Sequence, residues 1–173
     1  MKRILATAVA LSLTLSISAF GGDEHAMPMP KSNPKFDQLK QLVGTWEGKT
    51  KMGDKETTVK ATYELTSGGS AILERLFAGT DHEMVSVYHA DGSSVAMTHY
   101  CMLGNHPTMK LKKSDDHSMA FEMSGKDGIH QSGEMHMHAL NISWNNPTHM
   151  TEEWVSYNQG KKQDSKMFEF IKQ

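Results

Sequence analysis

The feature of this sequence that most constrains its fold is an alternation of apolar and polar residues, which recurs from residue 58 to the end of the chain. Apolar side chains stand two positions apart in segments that contain Val59, Ala61, Tyr63 and Leu65; Met109 and Leu111; Met119, Phe121 and Met123; Leu140, Ile142 and Trp144; and Phe168 and Phe170. Because successive side chains of a β-strand point to opposite faces, this period predicts strands with one buried and one solvated face.

Turn-forming residues separate the alternating segments at intervals of about ten residues. They are Gly53-Asp54, Ser67-Gly68-Gly69-Ser70, Asp91-Gly92, Gly104-Asn105, Asp115-Asp116, Asp127-Gly128, Asn145-Asn146-Pro147 and Gln159-Gly160. Because no helical pattern lies between these turns, the sequence predicts consecutive antiparallel hairpins. A meander of about eight to ten strands closes because closure removes its exposed edges. We therefore predict an all-β fold, an antiparallel up-and-down β-barrel, with a two-sheet sandwich as the alternative.

A short helix is predicted before the first strand. Asn33 is a favourable N-cap residue, Pro34 suits the first helical position, and Gly44 stands where a C′ glycine would end the helix. The apolar residues between them recur at spacings of three and four, namely Phe36, Leu39, Leu42 and Val43. Because so short a helix needs a packing partner, we expect it to cover one mouth of the barrel.

The first 33 residues carry the pattern of an exported protein. Met1-Lys2-Arg3 is positively charged, residues 4–17 are apolar apart from Thr and Ser, and Ser18-Ala19-Phe20-Gly21 supplies small residues before a cleavage site. The apolar run is shorter than the ~20 residues that a membrane-spanning helix needs. We predict a signal peptide over residues 1–21, a flexible leader over 22–33 and a barrel domain over 34–173. The protein is then periplasmic or secreted, without a stable membrane anchor.

Charge and cysteine content exclude some classes of protein. The formal net charge is −2 and no long basic run is present, so the chain lacks the concentrated positive face that nucleic acid binding requires. Cys101 is the single cysteine, so an intramolecular disulfide is impossible. Its thiol is buried and inert, forms an intermolecular bridge, or binds a ligand as a thiolate. The 14 Met and 10 His residues are the unusual part of the composition.

The segment Gly44-Thr45-Trp46-Glu47-Gly48, which follows the predicted helix, contains a Gly-x-Trp motif. It resembles the start of the lipocalin and wider calycin barrels, and this resemblance implies a lipocalin-like fold in which Trp46 closes the barrel floor. The extended Gly-x-Trp-x-Gly is also similar to the start of the haem-binding nitrobindin barrels. Two departures weaken that likeness: Lys49-Thr50 replaces a further Gly, and no His follows His149, although the haem-ligating His of that family lies late in the barrel.

A closer resemblance is to a family of uncharacterised bacterial secreted proteins of the same lipocalin-like class. It rests on the segments His82-Glu83-Met84-Val85-Ser86-Val87-Tyr88-His89 and Thr98-His99-Tyr100-Cys101-Met102-Leu103-Gly104-Asn105. The resemblance covers most of the predicted mature chain. It implies a barrel but no activity, because that family has none assigned.

The hairpin around Asp91-Gly92 carries the most chemically reactive side chains. If these two residues form the loop, the register pairs Ala90 with Ser93, Met84 with His99 and His82 with Cys101. One face of the hairpin then holds His82, Met84, Ser86, Tyr88, Val95, Met97, His99 and Cys101. A three-residue loop would shift the register by one and place Glu83 and His89 beside His99 and Cys101 instead.

Two interpretations of these residues remain open. In the first, His82, Met84, His99 and Cys101 converge on a copper or haem site, because thiolate and thioether favour Cu(I) and imidazole suits Cu, Zn or Fe. His136 and His138 would add a second donor pair. In the second, methionine is a flexible gap-filler of the core and the histidines are hydrogen-bonded or surface residues.

Fold analogy favours a further hypothesis, that the barrel holds a small apolar ligand. The candidate lining residues are Trp46, Tyr63, Tyr88 and Trp144, with His82 or His99 as polar anchors. A Cys101–His99 hydrolase is the least favoured function, because side chains two apart on a strand run nearly parallel and no hydrolase motif is present.

Overall fold

The computed structural model describes residues 32–173. The predicted signal peptide, and the predicted leader up to residue 31, lie outside the described residues. Within residues 32–173, no helix is both long enough and apolar enough to cross a membrane.

The described chain forms a closed barrel of ten antiparallel strands, as the period-two pattern predicts. The strands are β1 (Gly44–Met52), β2 (Lys55–Thr66), β3 (Ala71–Leu76), β4 (Met84–Asp91), β5 (Ser94–Tyr100), β6 (Thr108–Asp115), β7 (Ser118–Met123), β8 (His136–Asn146), β9 (His149–Asn158) and β10 (Lys161–Lys172). Each strand pairs with the next along the chain, and β1 pairs with β10. The fold is therefore an up-and-down barrel, and the sandwich alternative is wrong.

The barrel closes where Gly48 of β1 lies opposite Phe170 of β10. A Cβ atom at Gly48 would lie 2.1 Å from the carbonyl oxygen of Glu169 and 3.2 Å from the Phe170 ring. Only glycine lets the two backbones approach this closely. The Gly-x-Trp-x-Gly segment thus contributes a residue on which closure depends.

The predicted helix is present and packs across one end of the barrel. Helix α1 spans Pro34–Leu39 and continues as a 3-10 turn over Lys40–Leu42. Its cap is Asn33, whose side-chain oxygen accepts from the backbone N–H of Lys35 and Phe36. Val43 is the C-cap of the 3-10 turn, so Gly44 stands at the predicted C′ position, where it has φ 138° and begins β1.

Apolar side chains fill most of the barrel interior. Trp46, Tyr88, Phe121 and Phe170 are its largest fully buried residues, and Met97, Met109 and Met119 fill the space between them. This placement favours the view that methionine serves as a core gap-filler. Leu65, which the alternation assigns to the buried face of β2, is 42% exposed because it lies near the end of its strand.

The β4–β5 hairpin keeps the predicted faces but not the predicted loop. Gly92 and Ser93 form the turn, so that Asp91 pairs with Ser94 and Ser86 pairs with His99. The predicted pairing of Met84 with His99 is therefore wrong by two positions. A shift of two leaves every side chain on its face, and Met84, Ser86, Tyr88, Val95, Met97, His99 and Cys101 are all buried. His82 is exposed and precedes β4.

Candidate functional site

A cavity of about 540 Å³ opens at the end of the barrel opposite the helix. We call it the mouth cavity, and its lining residues are Lys51, Gly53, Leu76, Phe77, His82, Met84, His99, Met102, Met137, Trp154, Lys166 and Phe168. The β1–β2, β3–β4 and β5–β6 connections reach it, whereas the helix contacts the β4–β5 and β6–β7 turns at the other end. Most of the lining is aliphatic, aromatic or thioether, and no carboxylate is among the lining residues.

His99 is the buried polar residue of the mouth cavity. Its Nδ1 lies 3.0 Å from Ser86 Oγ, and its ring centroid lies 4.4 Å from that of Trp154. Its Nε2 has no hydrogen-bond partner in the described part of the chain, although the residue is only 1% exposed. Burial lowers the pKa of His99 to about 4, because desolvation disfavours the charged imidazole. At neutral pH His99 is therefore uncharged, and its Nε2 forms no hydrogen bond within the described residues.

Two buried carboxyl groups lie in the barrel interior. Tyr88 donates to Glu74 Oε2 at 2.6 Å, Tyr63 donates to Glu152 Oε1 at 2.6 Å, and Trp154 donates to Glu152 Oε2 at 2.9 Å. Burial raises the pKa of both carboxyls, and at Glu74 the charge of Glu152 raises it further. Trp154 both donates to Glu152 and lines the mouth cavity, so the buried carboxyl groups lie next to the cavity.

The structure divides the predicted ligand-binding residues into two groups. His82 and His99 line the mouth cavity. Trp46, Tyr63, Tyr88 and Trp144 lie in the packed core instead. Trp46 donates from Nε1 to the carbonyl of Leu42 at 2.7 Å, so it joins the barrel to the helix.

The predicted metal ligands are brought together only in part. Cys101 Sγ lies 4.0 Å from Met84 Sδ, and His99 is hydrogen bonded to Ser86. Burial raises the pKa of the Cys101 thiol, which disfavours the thiolate that a metal or a nucleophilic mechanism requires. Over residues 32–173, no group of three or more His, Cys, Asp or Glu side chains is arranged to hold one metal ion.

His136 and His138 form a separate pair on β8. His136 Nε2 lies 3.3 Å from His138 Nδ1, and the His138 ring stacks on Tyr157 with centroids 3.8 Å apart. Burial lowers the pKa of His138, and the neighbouring His136 lowers it further, while Glu122 raises it. A β-bulge interrupts the pairing of β8 with β9 between Met137 and Ala139.

Several residues of the site were not found from the sequence. Phe77 and Met102 belong to loops, where no periodic pattern marks a residue as cavity-lining. Glu74 did carry a signal, because it stands in phase with the buried Ile72 and Leu76 of β3. Glu152 stands in phase with Met150 and Trp154 of β9 in the same way. An acidic residue in an apolar phase indicates a buried carboxyl.

Comparison of the chain with protein-family models finds no match. Comparison with curated proteins finds none either.

Proposed function

We propose that this protein binds a small, mostly apolar molecule in the mouth cavity. The observation that carries the proposal is His99: a buried, neutral imidazole at an apolar cavity, whose Nε2 has no hydrogen-bond partner among residues 32–173. Buried polar atoms are nearly always hydrogen bonded, and leaving one unpaired costs about 1–3 kcal/mol. A ligand with one polar group would satisfy this atom.

The size and the lining of the cavity support a small ligand. Its volume of about 540 Å³ falls within the range of about 300–1,000 Å³ that small-molecule sites occupy. Leu76, Phe77, Trp154 and Phe168 supply apolar contact area, and Met102 and Met137 add flexible side chains that adapt to ligand shape.

The charges at the cavity favour a ligand with an anionic end. Lys51 and Lys166 both line it, and Lys166 Nζ donates to the carbonyl of Lys51 at 2.7 Å. Since the lining contains no carboxylate, these two ammonium groups have no counter-charge within the cavity. We therefore propose an apolar molecule that carries a carboxylate or sulfonate at the rim, in addition to the polar group that meets His99.

A matched pair of fluorescent probes tests both parts of the proposal. N-phenyl-1-naphthylamine is apolar and neutral, and 1-anilinonaphthalene-8-sulfonate has the same rings with a sulfonate. We expect both to bind at one site, the sulfonate more tightly, and Met137→Trp to abolish binding by filling the cavity. Ile171→Trp, a change at a side chain that is 53% exposed, should leave binding intact.

The outcomes separate the two parts. Equal affinity for both probes would contradict the anionic end while leaving the apolar site standing. Binding that survives Met137→Trp unchanged would contradict the mouth cavity as the site.

The same imidazole supports a second candidate, a haem or soft metal bound through His99. Its Nε2 has no hydrogen-bond partner among the described residues, and the thioether of Met84 lines the same cavity. A porphyrin would bring an iron for His99 to ligate, and its acidic groups would suit Lys51 and Lys166. Titrations with hemin, read in the Soret region, and with Cu(I) test this candidate. We expect loss of binding in His99→Ala, and unchanged binding in that variant would contradict it.

We also propose that the protein is exported and that residues 1–21 are its signal peptide. The support is the order of charged, apolar and small residues in that segment. N-terminal sequencing of the protein recovered from the periplasm or the medium tests this proposal, with Gly22 expected as the first residue. Recovery of an intact N-terminus from the cytoplasm would contradict export.

A further inference from the structure

His136 and His138 lie on the opposite face of β8 from the mouth cavity. Met137, which stands between them, lines that cavity. His136 pairs in register with Tyr157 of β9, and the His138 ring stacks on the same tyrosine at a centroid distance of 3.8 Å with 15° between the planes. The two imidazoles therefore lie together beside Tyr157 on the outward-facing side of β8, where His136 is 8% exposed and His138 is partly exposed.

The distance between the two facing nitrogens matches a chelate. His136 Nε2 and His138 Nδ1 are 3.3 Å apart. Two imidazole nitrogens that each lie about 2.0–2.1 Å from a tetrahedral metal ion are separated by about 3.3 Å.

The outer nitrogens also have the partners that metal-bound histidines use. His136 Nδ1 lies 2.8 Å from the carbonyl oxygen of Glu134, so it carries the proton and leaves a lone pair on Nε2. His138 Nε2 lies 3.8 Å from the Glu122 carboxylate, beyond hydrogen-bond distance; when His138 binds a metal through Nδ1, its proton is on Nε2, on the side of this carboxylate. Without a metal, His138 Nδ1 can donate its proton to the lone pair of His136 Nε2; a cation between the two nitrogens would replace that proton, with both lone pairs directed at it. Carbonyl or carboxylate acceptors behind ligating histidines are the usual second layer of metal sites.

We propose that His136 Nε2 and His138 Nδ1 chelate a divalent transition-metal ion on the outer surface of the barrel. Zn²⁺ is the ion that the observed 3.3 Å separation fits, because its sites are tetrahedral. Cu²⁺ also suits imidazole and binds most tightly in the divalent series, but its tetragonal sites would require the two nitrogens to move closer, to about 2.8–2.9 Å. Water completes the coordination, because the described side chains offer no group of three ligands. Glu122 is a positioning residue that acts through His138.

Metal titration of the full chain without an affinity tag tests the proposal. Cu²⁺ binding is followed by electron paramagnetic resonance, which counts coordinated nitrogens, and Zn²⁺ binding by calorimetry. We expect one tightest equivalent with two imidazole nitrogens. His136→Asn and His138→Asn should each weaken it at least tenfold, and Glu122→Gln should weaken it by a smaller factor while preserving both nitrogens.

His89→Asn is the matched control, because His89 is an exposed strand histidine on the far end of β4. We expect this variant to bind the metal as the unchanged protein does. If His136→Asn fails to fold, His138→Asn still decides the test, because the His138 side chain is 21% exposed and its replacement disturbs the fold less. Unchanged affinity and an unchanged nitrogen count in His138→Asn would overturn the proposal.

Discussion

An imidazole buried without a counter-ion changes how the folded protein responds to acid. The pKa of His99 falls from an ordinary 6.5 to about 4 on folding. The unfolded chain therefore takes up a proton at a higher pH than the folded protein does. The free energy of unfolding therefore falls as the pH drops from 6.5 toward 4, because protonation of His99 favours the unfolded chain over this range.

His99→Gln tests this pH dependence. Between pH 7 and pH 4.5 we expect the free energy of unfolding to fall by about 2–3 kcal/mol more in the unchanged protein than in the variant. Urea unfolding at both pH values measures the difference, and subtraction removes the contributions of Glu74 and Glu152. Those carboxyls act with the opposite sign, because their raised pKa values cost stability as the pH rises above 4.5.

His149→Gln serves as the control, because His149 lies at the exposed start of β9. It should show the same acid response as the unchanged protein. If His99→Gln also shows that response, His99 is not the buried group that the structure describes.

At the scale of single elements, Asn33 joins the helix to the barrel. Its side-chain oxygen caps α1, while its Nδ2 donates to the carbonyls of Gly92 and Ser94 in the β4–β5 hairpin at 3.1 and 2.8 Å. One side chain thus joins the helix to two backbone carbonyls that lie 59 and 61 residues further along the chain.

Two substitutions separate these roles. Asn33→Ala should cost about 2–3 kcal/mol, because it removes a cap of about 1 kcal/mol and two further hydrogen bonds. Asn33→Ser keeps a capping oxygen but loses the bonds to the hairpin, so it should recover only about 1 kcal/mol. Chemical denaturation measures both values. Full recovery in the serine variant would show that the hairpin bonds contribute nothing.

The same hairpin shows where sequence reasoning stops. Asp91-Gly92 and Gly92-Ser93 are both acceptable two-residue turns, and the structure uses the second, with Gly92 at φ 60°. The two registers differ by two residues, so the two-residue loop considered at Asp91-Gly92 puts the same side chains inward although it pairs different partners. The alternative three-residue loop, which would shift the register by one, is not formed. Local turn chemistry could not decide between them, because Asn33 binds the observed turn from outside the hairpin.

At the scale of the whole molecule, closure of the barrel depends on Gly48. Gly48→Ala would place a Cβ atom 2.1 Å from the Glu169 carbonyl, so β1 and β10 must move apart. We expect a loss of at least about 1–3 kcal/mol, the usual cost of overpacking. Faster hydrogen exchange should follow at the β1–β10 pairs.

Gly53→Ala is the matched control for closure. Gly53 has φ 63°, and no atom lies within 4 Å of an added Cβ. The substitution should therefore cost only about 1–2 kcal/mol of local backbone strain. Exchange at the β1–β10 pairs should stay slow. Equal exchange in the two variants would contradict the role of Gly48 in closure.

The barrel itself could be predicted, because the period of two and the turn residues specify consecutive antiparallel strands wherever they occur. The mouth cavity could not. It depends on loop residues such as Phe77 and Met102 and on how completely neighbouring side chains fill one end, which no alternation records. Trp46 and Trp144 fit a ligand pocket by residue type, but their positions along the strands place them in the packed core.

Methionine methyl resonances test the central claim most directly, because methionines occur both at the mouth cavity and in the closed core. In ¹³C-methyl spectra titrated with 1-anilinonaphthalene-8-sulfonate, we predict shifts for Met84, Met102 and Met137, which line the cavity. Met109 and Met119, fully buried in the core, should not shift. Shifts confined to other methionines, or spread evenly over all of them, would contradict a ligand site at the open end of the barrel.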